Sequence, residues 1–161
     1  MSREVDRLGA LVSELSLEPE FSMNEFSSRF RLQKYVYMAE VFGVDLGYKF
    51  SWYIHGPYSP DLTRVAFELF QMPKSERPTL SLKEWAKDKV RKAKQFVERT
   101  KPHDVDELVW LEALSFVHYL GKLGLKRSEI VGRMEREKPH ISPEVVEKAL
   151  GEISSLKQNE D

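Results

Sequence analysis

The spacing of apolar residues predicts a mainly α-helical protein: a single-domain bundle of six or seven helices with a short two-stranded β element near residues 48–54 and 78–81. Three observations lead there. Apolar residues recur every three or four positions through most of the chain, which is helix periodicity, while strict alternation occurs in one short stretch. Ser-Pro-Asp at 59–61 and Ser-Pro-Glu at 142–144 are helix starts. No Gly/Ser linker or repeat divides the 161 residues, so one domain is expected over 1–157, with 158–161 as a frayed tail.

Val5, Leu8, Leu11, Val12 and Leu15 form a helical stripe over 2–16. From 24 to 41 the apolar and aromatic residues, including Phe26, Phe30, Leu32, Tyr35, Val36, Tyr37 and Met38, cover almost every side of a helix. Such a helix is central and buried. Tyr48, Phe50, Trp52 and Ile54 then alternate with Lys49, Ser51 and Tyr53, which is strand periodicity, and 79–81 offers a partner strand. His55-Gly56-Pro57-Tyr58 reads as a turn into the next helix. There Ser59 is the N-cap, Pro60 fits the first helical position and Asp61 suits the positive end of the helix dipole. Behind them Leu62, Val65, Ala66, Leu69 and Phe70 set a helix over 60–71.

Met-Pro-Lys-Ser-Glu-Arg-Pro at 72–78 breaks the pattern as a loop. A helix over 82–100 is expected to turn Leu82, Trp85, Ala86, Val90, Ala93 and Val97 to the core and its Lys and Arg residues to water. The nearly all-apolar 104–121 forms another helix. Ser128 begins a short one that ends before Pro139, and Ser142 opens the last, with Val145, Val146, Ala149, Leu150 and Ile153 inward.

Composition narrows the function classes. There is no cysteine, which excludes disulfides, iron-sulfur clusters and thiolate zinc sites and points to an intracellular setting. With neither a signal-peptide pattern at the start nor a run of about 18 apolar residues, a soluble cytoplasmic protein is expected. Charged residues make up 32% of the chain while Asn and Gln total six, a balance that points to a high-temperature source. The net charge of −1 gives no global attraction to nucleic acid or anionic lipid.

The distribution of charge is uneven. Residues 82–101 hold eight Lys or Arg against three acids, whereas 128–161 hold five against eight. Lys83, Lys87, Lys89, Arg91, Lys92 and Lys94 could contact phosphates, which makes a nucleic-acid-associated protein one alternative. Against it, Glu84 with Lys87, and Asp88 with Arg91 and Lys92, have the spacing of ordinary surface pairs. The helix-turn-helix rhythm over 126–157 carries Glu144, Glu147 and Glu152 where a reading helix would be basic.

Catalytic chemistry finds little footing. His55, Ser59 and Asp61 lie close in sequence, yet Ser59 is better used as a helix cap, and no oriented base or oxyanion hole accompanies it. No catalytic residue is assigned, and no enzyme is expected. His55, His103, His118 and His140 have no paired metal-ligand spacing, and no glycines stand in phosphate-loop spacing, so neither a metal nor a cofactor is expected. Glu112, Ser115, Tyr119 and Lys122 form a narrow polar stripe along 104–121, read as a solvent-facing edge or a satisfied buried network. A sharper alternative has Glu112 reaching the Gln33-Lys34-Tyr35 region or the Gly-Pro loop, around a small-molecule-binding or hydrolytic pocket.

Two motifs, Arg31-Leu32-Gln33-Lys34-Tyr35-Val36-Tyr37-Met38-Ala39 and Phe50-Ser51-Trp52-Tyr53-Ile54-His55-Gly56-Pro57-Tyr58-Ser59-Pro60-Asp61-Leu62, resemble those of the YwgA-like proteins of bacteria and archaea. More distantly the chain is similar to the Panacea, or SocA-like, antitoxin domain, with His55 standing where that pattern has Tyr. The resemblance covers roughly residues 29–71. It implies a mainly helical domain without known catalysis, whose relatives neutralise toxins by binding them, and it carries the family signature onto Leu32, Gln33, Lys34, Trp52, Gly56 and Pro57. The expectation is therefore a non-enzymatic protein-interaction module, antitoxin-like or regulatory, with a protein partner. Trp52 and Leu32 are expected in the core. Gln33, Lys34, Tyr53, His55, Gly56, Pro57 and Tyr58 are the expected partner-binding set, with Gln33, Lys34, Tyr53, His55 and Tyr58 exposed or half-exposed because aromatic and cationic side chains around a rigid turn are what interfaces favour.

Overall fold

A computed structural model describes residues 3–17, 21–53 and 56–158 of the chain. Seven α-helices and one small antiparallel sheet are formed among the described residues, so the protein is mainly helical. The helices are α1 (Arg3–Leu15), α2 (Phe26–Val41), α3 (Pro60–Gln71), α4 (Glu84–Thr100), α5 (Glu107–Lys122), α6 (Arg127–Glu137) and α7 (Pro143–Gln158). The sheet pairs β1 (Ser51–Tyr53) with β2 (Gly56–Tyr58). Within the span read as one domain, the chain gathers into two compact units, Met1–Glu98 and Arg99–Asp161. The tail beyond 158 and residues Ile54 and His55 lie outside the described residues.

In the first unit, the predicted stripe of α1 is its buried face: Val5, Leu8, Leu11, Val12 and Leu15 are all withdrawn from water. α1 packs on α3, which buries Leu62, Val65, Ala66 and Leu69 and leaves Phe70 half-buried. α3 begins where its cap requires, with the Ser59 hydroxyl accepting from Leu62 N at 3.2 Å and Pro60 in the first turn. α2 is buried along one continuous run from Leu32 to Ala39, as a helix apolar on nearly all sides should be.

Two expectations here need correction. The partner of β1 is the Gly-Pro segment itself, with Trp52 opposite Pro57 and Tyr53 opposite Gly56, while 79–81 forms no strand. A two-stranded ribbon has free edges on both sides, so Pro57 can sit in it without removing a needed N–H. Gly56 has φ +90°, a conformation costly for any residue with a Cβ, which explains glycine there. Along 48–53 burial alternates as predicted, but Trp52 is half-buried and not part of the core, because only one short strand backs it.

α4 buries Ala86, Val90, Ala93 and Val97 as expected, together with Phe96. Trp85 does the opposite of what was expected: it is 59% exposed, and Leu82 is only half-buried. Its place in the first turn, about 100° round the helix from Ala86, puts it beside the buried stripe and not on it. The basic side chains are largely spent within the unit. Lys87 pairs with Glu84 and Lys92 with Asp88, Arg91 reaches Glu14 at 2.5 Å, and Lys94 donates to the Leu15 carbonyl.

In the second unit α5 packs against α7 and α6. The Asp106 carboxylate caps α5 by accepting from Leu108 N at 2.8 Å, and Ser142 caps α7 through Val145 N. Trp110 is fully buried and its indole N–H donates to Thr100 Oγ1, so the largest side chain of the core keeps its one donor satisfied. α7 turns Val146, Ala149, Leu150 and Ile153 inward and leaves Val145 half-buried. Among the described residues no helix is long and apolar enough to cross a membrane.

Candidate functional site

The two sequence motifs meet in the first unit, where α2 lies against β2. Gln33 uses both ends of its amide on one backbone residue: Oε1 accepts from Ser59 N at 2.9 Å and Nε2 donates to Ser59 O at 2.8 Å. Nε2 also donates to Thr63 Oγ1 at 2.9 Å, and that hydroxyl shares a 2.8 Å hydrogen bond with Tyr58 OH. No other side chain but Asn has the carbonyl and amino group that this doubled contact needs, and Asn is shorter by one methylene. Next to it, Lys34 Nζ donates to the Pro57 carbonyl at 2.9 Å and stands 5.1 Å from the centre of the Phe30 ring. Hydrogen bonding and the face of an aromatic ring offset the cost of burying an ammonium group.

Gln33 and Lys34 are therefore not exposed: they keep 3% and 2% of their surface. The correction has a plain cause. An extended Gly-Pro-Tyr-Ser segment presents main-chain groups toward α2, and buried main-chain groups must be paired. Gln33 and Lys34 supply the pairs. Gly56 and Pro57 are buried as well, so of the expected binding set they contribute backbone and not surface.

Above this polar floor is a cavity of about 300 Å³ lined by Phe26, Arg29, Phe30, Gln33, Lys34, Tyr53, Tyr58 and Thr63. Phe26 and Tyr53 are 53% and 47% exposed, and Tyr53 meets Tyr58 edge to face with ring centres 5.1 Å apart. Phe26 and Phe30, one helical turn apart, have ring centres 5.9 Å apart. Of the expected set, the structure brings Gln33, Lys34, Tyr53 and Tyr58 to one cavity. His55 lies outside the described residues. Phe26, Arg29, Phe30 and Thr63 were not singled out in the sequence, since Phe26 and Phe30 were absorbed into a helix apolar all round. A signal was present: Phe26 stands among the polar residues Asn24, Glu25, Ser27 and Ser28 at the start of the helix.

The polar stripe of α5 divides: Glu112 and Ser115 belong to a buried network in the second unit, whereas Tyr119 is half-buried and Lys122 exposed. Glu112 is buried, with Oε2 3.1 Å from Lys138 Nζ and Oε1 2.6 Å from His140 Nε2. Lys138 Nζ also stands 4.8 Å from the Phe116 ring centre, and Ser115 Oγ donates back to Glu112 O. Glu112 thus finds its partners, Lys138 and His140, on the segment after α6 of its own unit. Half-buried His118, further along α5, has its imidazole pushed down to about 4 by burial and by the nearby Lys157 and Lys122 charges. Among the described residues no group of three or more His, Asp or Glu is placed to hold a metal ion. No protein-family model, no curated protein and no solved structure matches the chain.

Proposed function

We propose that this chain is a non-enzymatic, cytoplasmic protein-interaction module, and that its partner docks in the aromatic cavity between α2 and the hairpin. One observation carries the reading: two large aromatic side chains, Phe26 and Tyr53, stand about half exposed at a cavity whose polar floor is already hydrogen-bonded within the protein. Interfaces favour aromatic residues, and a pocket that accepts an anchoring side chain is the usual centre of binding energy. A catalytic reading has less support. Ser59 is buried and its hydroxyl caps α3, and Thr63 and Tyr58 share one hydrogen bond within the floor.

The resemblance to YwgA-like and Panacea domains adds a role to this reading, a regulatory or antitoxin-like one in which the cavity holds a partner and so blocks it. Selection of random displayed peptides on the folded protein tests the proposal. Sequences enriched on the native chain and not on a Phe26→Ala, Tyr53→Ala double variant are expected. A pool that binds both equally would exclude the cavity as the docking site.

A further inference from the structure

The charge of the cavity says more about its ligand than its shape does. Beside the buried Lys34, which the Pro57 carbonyl engages, its described lining carries Arg29 and no carboxylate. This is not an echo of a basic protein, since the chain holds 26 acids against 25 Lys and Arg. Two other arginines of the same unit pair with acids: Arg64 reaches Glu4 at 3.2 Å and Arg91 reaches Glu14 at 2.5 Å. Half-buried Arg29 instead commits Nη1 to the Met23 carbonyl at 2.8 Å and pairs with no acid among the described residues. A guanidinium has five N–H donors in a planar fork that matches a carboxylate.

Resting on the reading of the cavity as a docking site, we infer that the partner is an acidic polypeptide segment: a large aliphatic or aromatic side chain enters between Phe26 and Tyr53, and a neighbouring Asp or Glu carboxylate meets Arg29. The rings exclude water from the contact, which strengthens the ion pair relative to one in open solvent. The cationic lining also repels segments whose anchor is flanked by Lys or Arg, so charge selects among partners that share the same anchor.

Fluorescence anisotropy with short labelled peptides, capped at both ends, tests this. All carry the same Leu or Phe anchor, with Glu, Ser or Lys on either side. The Glu-flanked peptide is expected to bind about tenfold or more tighter than the Lys-flanked one, as one charge-assisted contact implies, and the gap should narrow as salt rises. Arg29→Gln should abolish the preference and Arg29→Glu reverse it; circular dichroism confirms folding, and Arg29→Gln retains an amide donor for Met23 O should the Glu variant unfold. Equal affinity for the three peptides, or a preference for Lys, overturns the inference and leaves the docking site standing. Absence of binding by every anchored peptide overturns both.

Discussion

Gln33 ties α2 to the residue that caps α3. Removing it as Gln33→Ala leaves Ser59 N–H buried without its partner, while Ser59 C=O keeps the Thr63 N–H at 3.3 Å, so urea denaturation should report a loss of about 1–3 kcal/mol. Tyr53→Ala, at an exposed ring with one edge-to-face contact, should cost within about 1 kcal/mol in the same measurement. That contrast separates the residues that build the cavity from those that present it. In the second unit, Glu112 and Lys138 keep 6% of their side-chain surface each. Glu112→Gln would leave a buried ammonium without its counter-charge and should destabilise by about 3–5 kcal/mol, while the Glu112→Gln, Lys138→Met double variant should recover most of it. A double variant no more stable than Glu112→Gln alone would show that the carboxylate matters for something other than that pair.

The helices differ in how far pattern alone described them. α1 and α3 bury the stripes that spacing assigned, Phe70 only in part, since each has one apolar face and the two pack on each other. α4 keeps the predicted stripe but loses Trp85 to solvent, because periodicity names a face and cannot say where along the helix the neighbour ends. An exposed Trp on a lysine-rich helix suggests base stacking over phosphate contacts. The charges answer otherwise. Lys87, Arg91, Lys92 and Lys94 are each engaged with a carboxylate or carbonyl of the same unit. A gel-shift titration at low salt should therefore give no complex with single-stranded or duplex DNA; a shift that weakens steeply with salt and disappears in Trp85→Ala would reinstate the nucleic-acid alternative.

Global stability should depend on pH through His118. Its imidazole stays neutral in the fold down to about pH 4, whereas the unfolded chain takes up the proton near the ordinary value of 6.5. The unfolded state then binds more protons between those values, so stability is complete above pH 6.5 and falls as pH drops toward 4. The loss is on the order of 2 kcal/mol, after discounting for the water that reaches the half-buried ring. Urea midpoints across that range should fall for the native chain and fall less for His118→Gln; equal slopes would assign the acid sensitivity elsewhere. The high share of charged residues and the few Asn and Gln lead to an expected thermal midpoint above about 65 °C, the upper end for mesophilic domains, and a calorimetric scan decides it.

Helix existence, helix starts and the alternation before the Gly-Pro segment were legible in the chain because they rest on interactions between residues a few positions apart: caps, turn residues and the 3.6-residue and two-residue periods. Those local rules placed Gln33 and Lys34 on a helix. They could not say which way Gln33 and Lys34 point, because their partners are Ser59 and Pro57, 26 and 23 residues away. Polarity argued for exposure, and distant main-chain groups needing donors and acceptors overruled it. Nor could spacing place Phe26 beside Tyr53, since α2 and the hairpin are brought together by that buried clamp. Short-range pattern set the elements; long-range hydrogen bonding, which no periodicity encodes, turned them into a floor of satisfied polar groups beneath an aromatic rim.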